Sequence, residues 1–258
     1  YMYIWTSFNK KVMEQQFPTE MVTLPSKGLL YPEGSPLKKG EIEMKYMTAR
    51  EEDILTNQNL IQNGTVIDKL LQSLIVTPIN FNDLLTGDKN AVLIAARILG
   101  YGSDYEFEYR NETIQIDLTE VKDKPLNESL ITDGKNEFSF ELPASKITIT
   151  FKLLTHGDET NIENEIKGLK KINKNSSPDL STRVKHLITS INGDYEKSTV
   201  REFVDTKLLA RDSRALRKYV NKIQPDIDLS YEYEDSRGNV KNIPIPIGIN
   251  FFWPDAWV

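Results

Sequence analysis

The chain has 258 residues, 39% of them hydrophobic and 27% charged, with a net charge of −6 and no cysteine. That composition supports a folded core without staples and excludes disulfides, thiol catalysis and cysteine-based zinc sites. The acidity counts against a generic nucleic-acid binder, which gains most of its affinity from phosphate neutralisation, and no apolar run approaches the roughly 18–20 residues that span a bilayer.

Residues 1–23 form an N-terminal arm that carries Met2, Ile4, Trp5 and Phe8 before any turn signal. Its apolar part is too short for a signal segment, and its charges follow that part instead of preceding it. Large apolar residues at this density must pack on the body or on a partner. Residues 24–40 hold Pro25, Gly28, Pro32, Gly34, Pro36 and Gly40, an ordered array of specified turns. Ile42, Met44 and Tyr46 then alternate with Glu41, Glu43 and Lys45, the period of a half-buried strand. Thr48 and Glu51 fit a capping box, and Glu51, Glu52 and Asp53 suit the positive end of a helix that runs to Gly64. Thr65 and Asp68 repeat the start signal for an amphipathic helix through Val66, Ile67, Leu70, Leu71, Leu74 and Ile75. A short helix is expected near Asn82 to Leu85. Asp88 then caps a buried helix over Ala91–Leu99, closed by Gly100 and Gly102.

The pattern turns to strand at 104–155. Tyr105, Phe107 and Tyr109 pair with Ile114, Ile116 and Leu118 across a turn at Asn111-Glu112. Phe138, Phe140 and Leu142 pair with Ile147, Ile149, Phe151 and Leu153 across Pro143-Ala144-Ser145. Residues 156–225 return to helix. Ile162, Ile166, Leu169 and Ile172 make one stripe; Val184, Leu187, Ile188 and Ile191 make another, ended at Gly193. Thr199 and Glu202 form a second capping box, and Leu216, Tyr219, Val220 and Ile223 continue or restart that helix. Residues 226–258 read as a hairpin: Ile227 to Tyr233, a loop at Asp235–Asn239, and Ile243 to Ile249. Pro244 and Pro246 make the second strand an edge. The order helix, hairpins, helix, hairpin gives an α+β fold with antiparallel strands.

Motifs for chemistry are missing. The sequence has no GxGxxG, Walker-type or GxSxG pattern, and His156 and His186 lack the spacing of metal ligands. No cofactor or metal is expected. Two constellations point to partners instead. Lys207, Arg211, Arg214, Lys218 and Lys222 form one basic stripe if they share a continuous helix: a solvated face, a dock for an acidic protein, or a nucleic-acid contact, against which the lack of interleaved aromatics counts. Phe251, Phe252, Trp253 and Trp257 crowd the last residues, either as core or as an intermolecular anchor.

One stretch carries more. LPSKGLLYP, Gly40 before EIEMKYM, MTAREEDIL and GTVIDKLL, spanning Leu24 to Ile75 and continuing weakly through ARILGYGSDYE, resemble the T4-like bacteriophage baseplate hub and tail-assembly family. The resemblance covers about a third of the chain. It implies a non-enzymatic role in a contractile tail, in the virion baseplate or in the host cytoplasm during assembly. The implied partners are other hub or tail proteins, extending to the tape-measure protein, in a multimeric assembly with neither membrane nor nucleic acid. A transient chaperone absent from the mature virion is the alternative. An enzyme using carboxylates from 48–55 and 104–118 is the remaining one.

Overall fold

The turn array closes on itself because two of its glycines lie against backbone. A Cβ on Gly28 (φ +75°) would sit 2.2 Å from the Lys38 carbonyl oxygen, and one on Gly40 (φ +73°) would sit 2.7 Å from the Lys27 carbonyl. Only glycine permits both the left-handed backbone and the contact. The crossing brings together β1 (Thr19–Thr23) and β2 (Glu41–Lys45), antiparallel with Val22 opposite Ile42. Ile42 and Met44 are buried, as the alternation requires. The computed structural model describes residues 18–172, 178–234, 238–248 and 251–252. The expected N-terminal arm therefore ends in a strand. Its side chains stand almost all in solvent, so no apolar alternation marks it. Met2, Ile4, Trp5 and Phe8 lie outside the described residues.

The capping box at Thr48 opens α1 (Ala49–Leu55). The Glu51 carboxylate accepts from the Thr48 N–H at 3.0 Å and from its hydroxyl at 2.6 Å. It is buried and also meets Lys45 Nζ at 2.8 Å. Burial would raise its pKa, but Lys45 and Thr48 together hold it below the usual carboxylate value. The single helix expected to Gly64 is two. Asn57 accepts the amides of Asn59 and Leu60 on its side chain and starts α2 (Gln58–Gln62), which is N-cap chemistry in mid-segment. In α3 (Val66–Leu74), Val66, Leu70, Leu71 and Leu74 are buried. Each contributes about 1.5–3 kcal/mol by burial. Thr65 makes no side-chain cap there. Asp68 instead pairs with Lys89 and lies 3.6 Å from His156.

A 3-10 turn (Phe81–Asp83) leads to α4 (Thr86–Tyr101), longer than Ala91–Leu99 at both ends. Asp88 is not its cap. It lies fully buried in the first turn, where its carboxylate accepts from the Ser26 N–H (2.9 Å), the Ser26 hydroxyl (2.7 Å) and the Tyr31 hydroxyl (2.6 Å). The Tyr31 oxygen in turn accepts the Leu85 N–H at 2.9 Å. One buried carboxylate thus clasps the turn array to α4. Donors on every side satisfy a group whose isolated burial costs several kcal/mol.

The remaining strands come in hairpins. β3 (Asp104–Tyr109) and β4 (Glu112–Asp117) join through Arg110 and Asn111, both at positive φ, as a two-residue hairpin turn requires. β5 (Phe138–Glu141) and β6 (Thr148–Phe151) follow. Next come α5 (His156–Ile172) and α6 (Asp179–Leu187). The helix expected through Ile188 and Ile191 stops at Leu187. Ile188–Ile191 is β7, antiparallel to β6, and completes a sheet of order β5-β6-β7. α7 (Lys197–Thr206) and α8 (Ala210–Ile223) are separate helices. The second capping box is not formed: Thr199 donates to Asp194 at 2.8 Å and Glu202 pairs with Lys207. β8 (Ser230–Glu234) and β9 (Val240–Pro244) are the last strands among the described residues; Pro244 ends the strand expected to run to Ile249, which is outside the described residues. This hairpin packs on β3–β4 through Phe107–Tyr231 and Tyr109–Tyr233, edge to face with centroids 6.4 and 5.1 Å apart. The fold is α+β, and one buried apolar cluster runs from Leu24 to Phe252.

Candidate docking face

α8 divides its residues sharply. Leu216, Val220 and Ile223 are buried, and Tyr219 stacks on Phe140 of β5 with centroids 4.8 Å apart. Asp212, the only acidic residue of the helix, also points inward. Its carboxylate accepts the Ala144 N–H at 2.7 Å and the Ser145 N–H at 3.0 Å, pinning α8 to the β5–β6 turn. Burial would raise its pKa, but those turn donors and Arg211 hold it below the usual value. The opposite side is cationic. Arg211, Arg214, Arg217, Lys218 and Lys222 are all exposed. Among the described residues none of the five is in a salt bridge. At about 100° per residue, Arg211, Arg214, Lys218 and Lys222 fall within about a quarter of the helix surface. From Arg211 to Lys222 the row is about 16 Å long.

The basic stripe is therefore shorter than the sequence suggested. Lys207 does not belong to it: it caps the C-terminus of α7 and bonds Glu202 at 2.8 Å. The chain turns at Leu209, so no continuous helix joins Lys207 to Arg211. Arg217, which sequence spacing did not single out, belongs instead. It flanks the row and lines a groove of about 300 Å³ with Leu180, Val184, Leu187, Val220 and Asn221. The groove joins α6 to α8, so no local spacing could have revealed it.

The aromatic anchor is corrected too. Phe251 and Phe252 are fully buried, and Phe251 packs edge to face on Tyr105 at 4.9 Å. They belong to the core and present nothing to a partner. Trp253 and Trp257 lie outside the described residues.

A second charged place differs in kind. A cleft of about 450 Å³ is lined by Lys152, Lys185, His186, Thr189, Lys197 and Arg201, among others. Its cations are mostly neutralised: Lys152 by Asp158 at 2.7 Å, Lys185 by Asp205 at 2.6 Å, and both His186 and Arg201 by Glu165 at 2.9 and 3.0 Å. His156 is buried rather than superficial. It packs edge to face on Phe81 at 4.7 Å and meets Lys89 at 3.1 Å. Burial and Lys89 push its pKa down. Among the described residues no three His, Asp or Glu side chains are grouped to hold a metal ion, and no helix is long and apolar enough to cross a membrane.

The face of α8 can therefore attract carboxylates, and guanidinium groups can hold them in bidentate pairs. Comparison with family models, curated proteins and solved structures gives no match to this chain.

Proposed function

We propose that this chain is a non-enzymatic structural or assembly subunit of a contractile phage tail, acting at the baseplate hub. The observation that carries the docking part is the outer face of α8: five exposed cations without ion-pair partners among the described residues, on a chain whose net charge is −6. Arginines are enriched at interfaces, whereas an isolated solvated helix gains from mixing charges of both signs. The resemblance of Leu24–Ile75 to the hub and tail-assembly family supplies the phage part. Of the carboxylates the enzyme alternative would draw on, Glu51 is committed to Lys45 and Thr48, and Glu52 meets the Tyr101 hydroxyl at 3.4 Å.

Quantitative mass spectrometry of purified particles and of infected-cell lysates tests the reading. A fixed integer ratio to other tail proteins in particles is the expected result. Presence in lysate alone would make the chain an assembly chaperone, and absence from both would overturn the proposal.

A further inference from the structure

The cationic row of α8 has a counterpart on the same chain. The β3–β4 hairpin with the segment that follows it, and the β8–β9 hairpin, frame a shallow basin of about 680 Å³, lined among others by Ile116, Asp117, Glu120, Asp228, Tyr231 and Glu232. All four of those carboxylates are exposed. Among the described residues Lys122 is the only cation of the lining. Beside the basin, Glu106 stands exposed on β3, and Asp104 sits directly opposite Asp117 in the β3–β4 ladder. Like charges directly opposite each other in a ladder are unfavourable unless a countercharge is near. Buried Arg97 reaches the Asp104 region electrostatically, and Thr119 hydrogen-bonds Asp117. None of Asp104, Glu106, Asp117, Glu120, Asp228 and Glu232 is in a salt bridge among the described residues.

We infer that the acidic basin of one copy receives the α8 face of a second copy, so that the chain associates head to tail. The inference rests on the reading of α8 as a docking face and names its occupant. The two surfaces match in sign. They also match in texture: Ile116, Val121 and Tyr231 give the basin an apolar floor, on which the aliphatic stems of Lys and Arg can lie while their heads reach the carboxylate rim. Because the two patches differ, the contact is heterologous, and its repetition builds a ring or an open row rather than a closed pair. Nucleic acid fits the row less well, since the α8 outer face carries no aromatic side chain for base stacking.

Sedimentation velocity of the purified full chain tests the inference directly. Association is expected at about 50 mM salt and at least about tenfold weaker affinity at about 300 mM, where screening shortens the reach of exposed charges. Two charge-reversed variants sharpen it: Arg214→Glu/Lys218→Glu/Lys222→Glu on α8, and Glu120→Lys/Asp228→Lys/Glu232→Lys at the basin. Each alone should stay monomeric with an unchanged circular dichroism spectrum. Mixing the two should restore association, because reversed α8 then meets reversed basin. A wild type that stays monomeric at low salt overturns the inference, as does association that survives both reversals or fails to return on mixing. Monomeric behaviour would leave the assembly reading standing with a different acidic partner, because particle stoichiometry tests that reading separately.

Discussion

Asp88 shows how much one residue can organise. Its three donors come from positions 57 and 62 residues away, and Tyr31 relays the contact to the Leu85 amide. Tyr31→Phe should cost about 1–3 kcal/mol, because it leaves the Leu85 N–H buried without an acceptor. Asp88→Ala should cost more, since it leaves both Ser26 donors and the tyrosine hydroxyl without their acceptor. Urea unfolding of both variants measures this, and an unperturbed Tyr31→Phe midpoint would sink the account. The two buried aspartates respond to pH in opposite directions. Burial pushes Asp88 up against the pull of Ser26 and Tyr31, so its contribution is fullest in acid and is lost as pH rises through its raised pKa. Asp212 is held down, so its contribution is present at neutral pH and is lost as pH falls through its lowered pKa. Asp212→Asn should therefore lose roughly 1–3 kcal/mol at neutral pH. Its deficit relative to wild type should shrink below about pH 4. Thermal melts across that range check both statements. Neither role was legible in the sequence: Asp88 reads as a cap and nothing singles out Asp212, because their partners are distant in sequence.

Elements built on local periodicity were legible, and those built by distant partners were not. β2, α3, β3 and β4 follow from their alternation or stripe, and the Thr48 box formed as expected. β7 was misread because Ile188 and Ile191 are three apart, a spacing that also suits a helix. It is a strand because β6 supplies the ladder, with Ile149 opposite Ile191. Thr199 and Glu202 have the letters of a capping box, but Asp194 competes for the threonine hydroxyl. The aromatic end was ambiguous because burial depends on which surface is nearby, and β3 offers Tyr105. Phe251→Ala and Phe252→Ala should each cost about 3–5 kcal/mol, as buried phenylalanines do; losses below about 1 kcal/mol by chemical denaturation would return these residues to the surface. By contrast, Lys218→Ala and Lys222→Ala should change stability by no more than about 0.5 kcal/mol, while weakening any contact made through α8.

At the scale of the molecule, the sequence divides into arm, turn-rich helical part, hairpins, helical segment and terminal hairpin, yet one apolar cluster joins residues from Leu24 to Phe252. Unfolding should therefore appear as one transition by both circular dichroism and calorimetry. Two resolved transitions would mean that the β5-β6-β7 sheet and its helices hold a core of their own. The crossing of Gly28 and Gly40 has a consequence of another kind. Each glycine faces main chain, which cannot retreat as a flexible side chain can. A library of all substitutions should then divide this molecule into two regimes. Positions 28 and 40 should admit no other residue, while the outer row of α8 should accept nearly any residue in a growth-independent folding screen. Selection for function would act almost wholly on the second, so the surface that chooses partners can follow its partner while the glycine crossing stays frozen.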